Sequence, residues 1–171
     1  MSAQRSVRRP RTVILGTARV VLGAARVALG ILWVGEAIVK LRAGFGAADI
    51  ALVVDAASRG TRIPEGFRLF AEGVMGPLAP LFGATVPLWE LALGVLLIAG
   101  VATLPAAALS SFTLVLYWSS DQLTAVYPLM AVLGVVILLW PSTARRYGVS
   151  RLLSTRMPRR GARALVGGRW A

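Results

Sequence analysis

Two long stretches of this chain carry no charged residue: Leu91 to Ser120, and Gln122 to Ala144. A membrane-crossing helix needs roughly 20 apolar residues. The first stretch is too long for one such helix and has Pro105 in its middle. Proline opens a helix well and continues one badly, so two helices meeting at a tight turn near Thr103–Pro105 are predicted. The whole pattern predicts four spans, at about 20–41, 83–103, 106–121 and 124–141, the last ended by Pro141. Between the first two lies an outer loop, 42–82. Ile50, Leu52, Val53 and Val54 form one apolar cluster there, and Phe67, Leu69, Phe70 and Met75 another, punctuated by Gly60, Pro64, Gly76, Pro77 and Pro80. Two short helices on the outer surface fit this pattern. They either lid the bundle or only pack at the interface.

Composition supports the membrane reading. Of 171 residues, 57% are hydrophobic and 15% charged, with a mean hydropathy of +0.72; a soluble domain runs about 25% charged. The expected class is an all-α membrane protein: a four-transmembrane-helix bundle with short interfacial helices in the first outer loop. There is no Cys and no His. That excludes disulfides, thiolate nucleophiles, Fe–S clusters, His-ligated haem, Cys/His zinc sites and Ser-His-Asp triads. Chemistry is left to carboxylates, Arg, Tyr, Trp and a single lysine, Lys40.

The net charge of +12 raises nucleic acid, a membrane surface or an acidic partner as options. Its distribution favours the membrane. Residues 1–19 form a basic N-terminus, with Arg5, Arg8, Arg9 and Arg11 in its first part and no acid. The tail, 142–171, holds Arg145, Arg146, Arg151, Arg156, Arg159, Arg160, Arg163 and Arg169, again with no acid. The outer loop is balanced: Arg42, Arg59, Arg62 and Arg68 face Asp49, Asp55, Glu65 and Glu72. By arginine placement both termini are cytoplasmic, and an even number of spans follows. The tail reads as a juxtamembrane segment on anionic lipid. No aromatic-interleaved motif supports nucleic-acid binding. Arg19 and Arg26 interrupt the first apolar segment and no clean cleavage site follows, so a cleaved signal is not expected. Residues 11–24 suit an interfacial helix leading into the first span.

Within the spans remain Arg19, Arg26, Glu36, Lys40, Glu90 and Asp121. Ionisable groups at membrane depth usually face the bundle interior and have partners. Arg26, Gly30, Trp33, Glu36 and Lys40 share one stripe of the first helix; Gly83, Glu90 and Gly94 share another, beside Trp89. Ser110, Leu114, Tyr117 and Asp121 share a third, beside Trp118. With the termini inside, Glu36, Glu90 and Asp121 come to a similar depth near the outer face, with Lys40 as their counter-ion. Arg26 lies about 15 Å deeper than Glu36, at 1.5 Å per residue. Three acids beside one cation in a low dielectric are not all expected to stay ionised, which suits proton handling by Glu36, Glu90 and Asp121. Arg26, Trp33, Lys40, Trp89, Tyr117 and Trp118 become candidate ligand-binding residues. Aromatic walls with a proton-exchanging carboxyl suit a quinone headgroup or another flat amphipathic ligand. Two other readings stand beside this one. The acids and aromatics form an ordinary ion pair and aromatic belt, or they line a proton or ion path. Gly23, Gly30, Gly35, Gly94 and Gly100 read as close-packing positions.

Two segments carry a resemblance. The first runs from Arg26 through Val27-Ala28-Leu29-Gly30-Ile31-Leu32-Trp33 to Gly35, Glu36 and Lys40-Leu41. The second runs from Leu81-Phe82-Gly83 through Trp89-Glu90-Leu91 to Gly94 and Gly100. In these the chain resembles the DoxX/DoxD family of small bacterial membrane proteins, over roughly residues 20–140. The resemblance implies a multi-pass protein of the bacterial cytoplasmic (inner) membrane. It also implies a subunit of a quinone-linked oxidoreductase, with a protein partner supplying the electrons. Arg26, Glu36, Lys40 and Glu90 are the positions it marks. The alternative is a non-catalytic anchor or assembly subunit of a partner complex.

Overall fold

A computed structural model describes residues 9–122 and 124–140; the basic residues before Arg9, Pro141 with its expected role as the end of the last span, and the tail 142–171 lie outside the described residues. The described residues are helical, with no strand among them. Helix α1 spans Arg9–Ala43, α2 Ala47–Arg59 and α3 Glu65–Phe70; α3 runs into one π-helical turn, Ala71–Met75. Then come α4 (Ala79–Ala99), α5 (Thr103–Ser119) and α6 (Tyr127–Leu139). The expected interfacial helix at 11–24 is the first part of α1, without a break. Val20–Ala43 of α1 and all of α4 are long and apolar enough to cross a membrane.

The C-termini of α1, α4 and α5 share one device. Each is followed by a left-handed residue whose successor donates its N–H to a carbonyl five residues back. Gly44 (φ 71°) is followed by the bond Phe45 N–H to Lys40 O (3.0 Å), and Gly100 (φ 68°) by Val101 N–H to Leu96 O (3.1 Å). Asp121 (φ 58°) is followed by Gln122 N–H to Tyr117 O (3.0 Å). This closes the orphan carbonyls of a last turn. The α4–α5 turn therefore falls at Gly100–Ala102, not at Thr103–Pro105. Pro105 sits in the first turn of α5, where no intrahelical N–H is needed. At the start of α2 the Asp49 carboxylate accepts the Gly46 N–H (2.8 Å).

Successive bundle helices run antiparallel. Lys40 and Gly30 of α1 meet Glu90 and Ile98 of α4. Glycine lets α1 and α4 approach backbone to backbone. A Cβ on Gly30 would lie 2.8 Å from the Gly94 carbonyl oxygen, and one on Gly94 2.8 Å from that of Gly30. Gly83 has the same role against α2, where a Cβ would lie 2.7 Å from Ala47 N. Gly35, expected to be a packing position, has nothing within 4 Å of its missing Cβ. Gly100 serves as a cap.

Two cores result. Leu29, Trp33, Leu93, Leu97, Met130 and Ile137 fill the bundle of α1, α4, α5 and α6. Ile50, Ala57, Ile63, Phe67 and Met75 fill a second core beneath α2, α3 and the π-helical turn, which Phe82 of α4 joins. Phe67, Phe70 and Phe82 form an edge-packed chain with ring centroids 6.2 and 6.0 Å apart. The outward faces of all four bundle helices remain apolar, with Val39, Leu88, Val115 and Val132 among the exposed residues.

Candidate functional site

Helical spacing sets the site. Trp33, Glu36 and Lys40 stack along α1; Glu90 faces them from α4, Ser110, Thr113 and Tyr117 from α5, and Tyr127 from the first turn of α6. The Lys40 ammonium donates to Glu90 Oε1 at 2.7 Å and to Glu36 Oε2 at 3.4 Å. The Tyr117 hydroxyl donates to the same Glu90 Oε1 at 2.5 Å, and the Tyr127 hydroxyl to Glu36 Oε2 at 3.3 Å. The Glu90 side chain has no exposed surface, against 15% for Lys40 and 23% for Glu36. Charge-assisted bonds of this kind are the strong ones, and removing one buried partner leaves the other costly.

An aromatic layer surrounds the ions. Lys40 Nζ lies 5.2 Å from the Tyr117 ring centroid, within cation–π reach. Tyr117 stacks on Tyr127 at 5.5 Å and meets Trp33 at 6.3 Å. Trp33 is fully buried, and its indole N–H is satisfied by Ser110 Oγ at 2.7 Å. Trp89 donates to Thr113 Oγ1 at 3.0 Å. Glu90 Oε2 is buried and finds no hydrogen-bond donor among the described residues.

Beside this network is a cavity of about 300 Å³. Its polar lining is Lys40, Thr113, Tyr117, Ser120, Gln122 and Thr85; its apolar lining includes Phe45, Phe67, Phe70, Phe82 and Phe112. The outer helices of the sequence reading, α2, α3 and the π-helical turn, form one wall and α4 and α5 the other. Pockets for small molecules have this character, mostly apolar with a few placed polar groups.

The structure thus brings together Glu36, Lys40, Glu90, Trp33 and Tyr117, and sets Trp89 on the cavity wall. It separates three other expected residues from them. Asp121 does not join the acids: α5 ends at Ser119, so Asp121 leaves the helical stripe as a left-handed residue just past the helix end, and its carboxylate meets Arg62 of the α2–α3 connection at 3.2 Å. Trp118 is 65% exposed and is not a lining residue, because it points from the outward face of α5. Arg26 is buried at 3% exposure deep in α1 and does not line the cavity. Tyr127, Ser110, Thr113 and the phenylalanine wall are additional members. Ser110 had a sequence signal in its stripe with Leu114 and Tyr117, and the loop phenylalanines Phe67 and Phe70 had one as apolar clusters in a segment otherwise rich in Gly and Pro; Tyr127 and Thr113 had none.

Among the described residues no group of three or more His, Cys, Asp or Glu is placed to hold a metal ion. Comparison with family models, curated proteins and solved structures finds no match for this chain.

Proposed function

We propose that this chain is a DoxX/DoxD-like integral membrane subunit that binds a quinone-type ligand near the outer face of the bacterial inner membrane. In this reading α1, α4, α5 and α6 all cross the bilayer, both termini are cytoplasmic, and electrons come from a partner protein. The apolar outward faces of the four helices support the membrane setting, since a helix apolar all round belongs in lipid or in a large core. The observation that carries the ligand is the phenylalanine-lined cavity with the Lys40–Glu90–Tyr117 network at its edge. A ring carbonyl accepts a hydrogen bond from Lys40. Glu36, Glu90 and the two tyrosines form a hydrogen-bonded set able to pass protons as the ring is reduced or oxidised. The role of Lys40 is to place a positive donor at the carbonyl, and that of Trp89, Phe67, Phe70 and Phe82 to hold the ring.

The test uses the full-length protein in lipid nanodiscs, titrated with a decyl-substituted benzoquinone and followed by tryptophan quenching. Saturable quenching that weakens about tenfold in Lys40→Met supports the reading; no saturable quenching in the wild type refutes it. Topology is tested separately, with a reporter at Ala171 that is active only in the periplasm; activity there contradicts the cytoplasmic tail.

A further inference from the structure

The cavity lining is unequally exposed. Of the lining residues from α2, α3 and the π-helical turn, Ile50, Phe67 and Met75 are buried and Val53 and Phe70 half-buried. The exposed lining residues are Thr85, Trp89 and Phe112, all on α4 and α5. The mouth therefore lies between α4 and α5, the side that holds all the exposed lining residues, and α2, α3 and the π-helical turn contribute none. Exposed Leu88, Leu109 and Val115 on the same two helices continue the apolar surface around the mouth. With α4 and α5 in the bilayer, that mouth faces lipid rather than water.

The ionic network at the edge of the cavity holds more acid than base. Lys40 sits between two carboxylates, at 2.7 and 3.4 Å, so two acids outweigh one base. An anionic headgroup placed there meets a like-charge environment. A neutral carbonyl accepts the remaining ammonium proton without that penalty. The segment over the cavity touches the bundle through Phe70 against Phe82, with ring centroids 6.0 Å apart, and through the exposed pair Arg62–Asp121 at 3.2 Å.

We infer that the cavity is loaded sideways from the bilayer by a neutral carbonyl-bearing amphipath, which passes Thr85, Trp89 and Phe112 and seats its carbonyl on Lys40. This rests on the membrane setting and ligand class proposed above. The outer helices are then a fixed wall and not the door.

The experiment measures how fast the decyl-substituted benzoquinone, dissolved in nanodisc lipid, quenches the full-length protein's tryptophans. Thr85→Phe narrows the mouth at an exposed position and should slow loading about tenfold, while Phe112→Ala should load at least as fast as the wild type. The chain has no Cys, so an Arg62→Cys, Asp121→Cys double variant can be bridged by a short bifunctional thiol reagent. Bridging should leave that variant's loading rate within about twofold of its unbridged value. Decanoate should not displace the quinone. An unslowed Thr85→Phe, a slowed Phe112→Ala, or a bridged variant that no longer loads overturns the sideways route. Displacement by decanoate at equal concentration overturns the charge selection. Each of these presupposes saturable quenching in the wild type, so they are distinct from failure of the ligand reading itself, which shows as no quenching and removes this inference with it.

Discussion

Replacing Lys40 by Met keeps an unbranched apolar stem and removes the ammonium. Glu90, with no exposed side-chain surface, then loses its donor at 2.7 Å and keeps only the Tyr117 hydroxyl. Glu36 loses the longer contact at 3.4 Å and keeps Tyr127. Breaking a buried ion pair from one side costs about 3–5 kcal/mol. Tyr117 remains in place and Lys40 is 15% exposed, so a value near the lower limit, about 3 kcal/mol, is expected. Glu90→Gln should cost less, about 1–2 kcal/mol, because Lys40 keeps Glu36 as a partner. In the double variant the buried negative charge and its cation leave together. It should be more stable than Lys40→Met alone, with a coupling on the order of 2 kcal/mol. The assay is unfolding of the full-length protein in mild detergent by rising SDS fraction, followed by circular dichroism. A Lys40→Met cost under about 1 kcal/mol, or two single effects that simply add, would mean that the pair is solvated and that no desolvated site exists here.

The same assay checks four further expectations. Gly94→Ala places a Cβ 2.8 Å from the Gly30 carbonyl oxygen and 2.9 Å from Val34 N, and should cost about 1–3 kcal/mol as the helices are forced apart. Gly35→Ala, with open space around its Cβ position, should instead be neutral or stabilise by up to about 1 kcal/mol. Ala102 holds a left-handed conformation at φ 48°; Ala102→Gly should raise stability by up to about 1 kcal/mol by relieving it. Trp33→Phe takes away the donor of buried Ser110 and should cost about 1–2 kcal/mol, with Trp33→Phe/Ser110→Ala costing less than the two changes summed.

Helical periodicity made much of the site legible in the sequence. Trp33, Glu36 and Lys40 follow one face of α1 whatever surrounds it, and a lone lysine in an apolar helix needs an acid within reach. The glycine pair at 30 and 94 was readable for a similar reason, since small residues on facing helices permit backbone contact. Periodicity extends only as far as the helix does. Asp121 fits the stripe of Ser110, Leu114 and Tyr117 by count, but the backbone turns left-handed there and aims it at Arg62. Trp118 illustrates the other failure. Aromatic residues near a span end suit both a pocket wall and an outward belt, and a rotation of one residue about the axis decides between them. The fourth aromatic partner, Tyr127, needed the fold, because nothing local links the start of α6 to a glutamate 91 positions earlier. The cavity itself arises where the outer helices are clamped on α4 through Gly83, a tertiary fact with no local spacing rule.

Tyr117 joins the four bundle helices at one point. It bonds Glu90 of α4, stacks on Tyr127 of α6, and packs against Trp33 and the Lys40 ammonium of α1. One side chain of α5 thus touches every other bundle helix. Positions 33, 40, 90, 117 and 127 cannot drift independently: whether a change at one is tolerated depends on what occupies the other four. Among diverging copies of this chain these five sites should change in concert or not at all, and libraries randomising them singly should recover far fewer folded variants than libraries randomising them together.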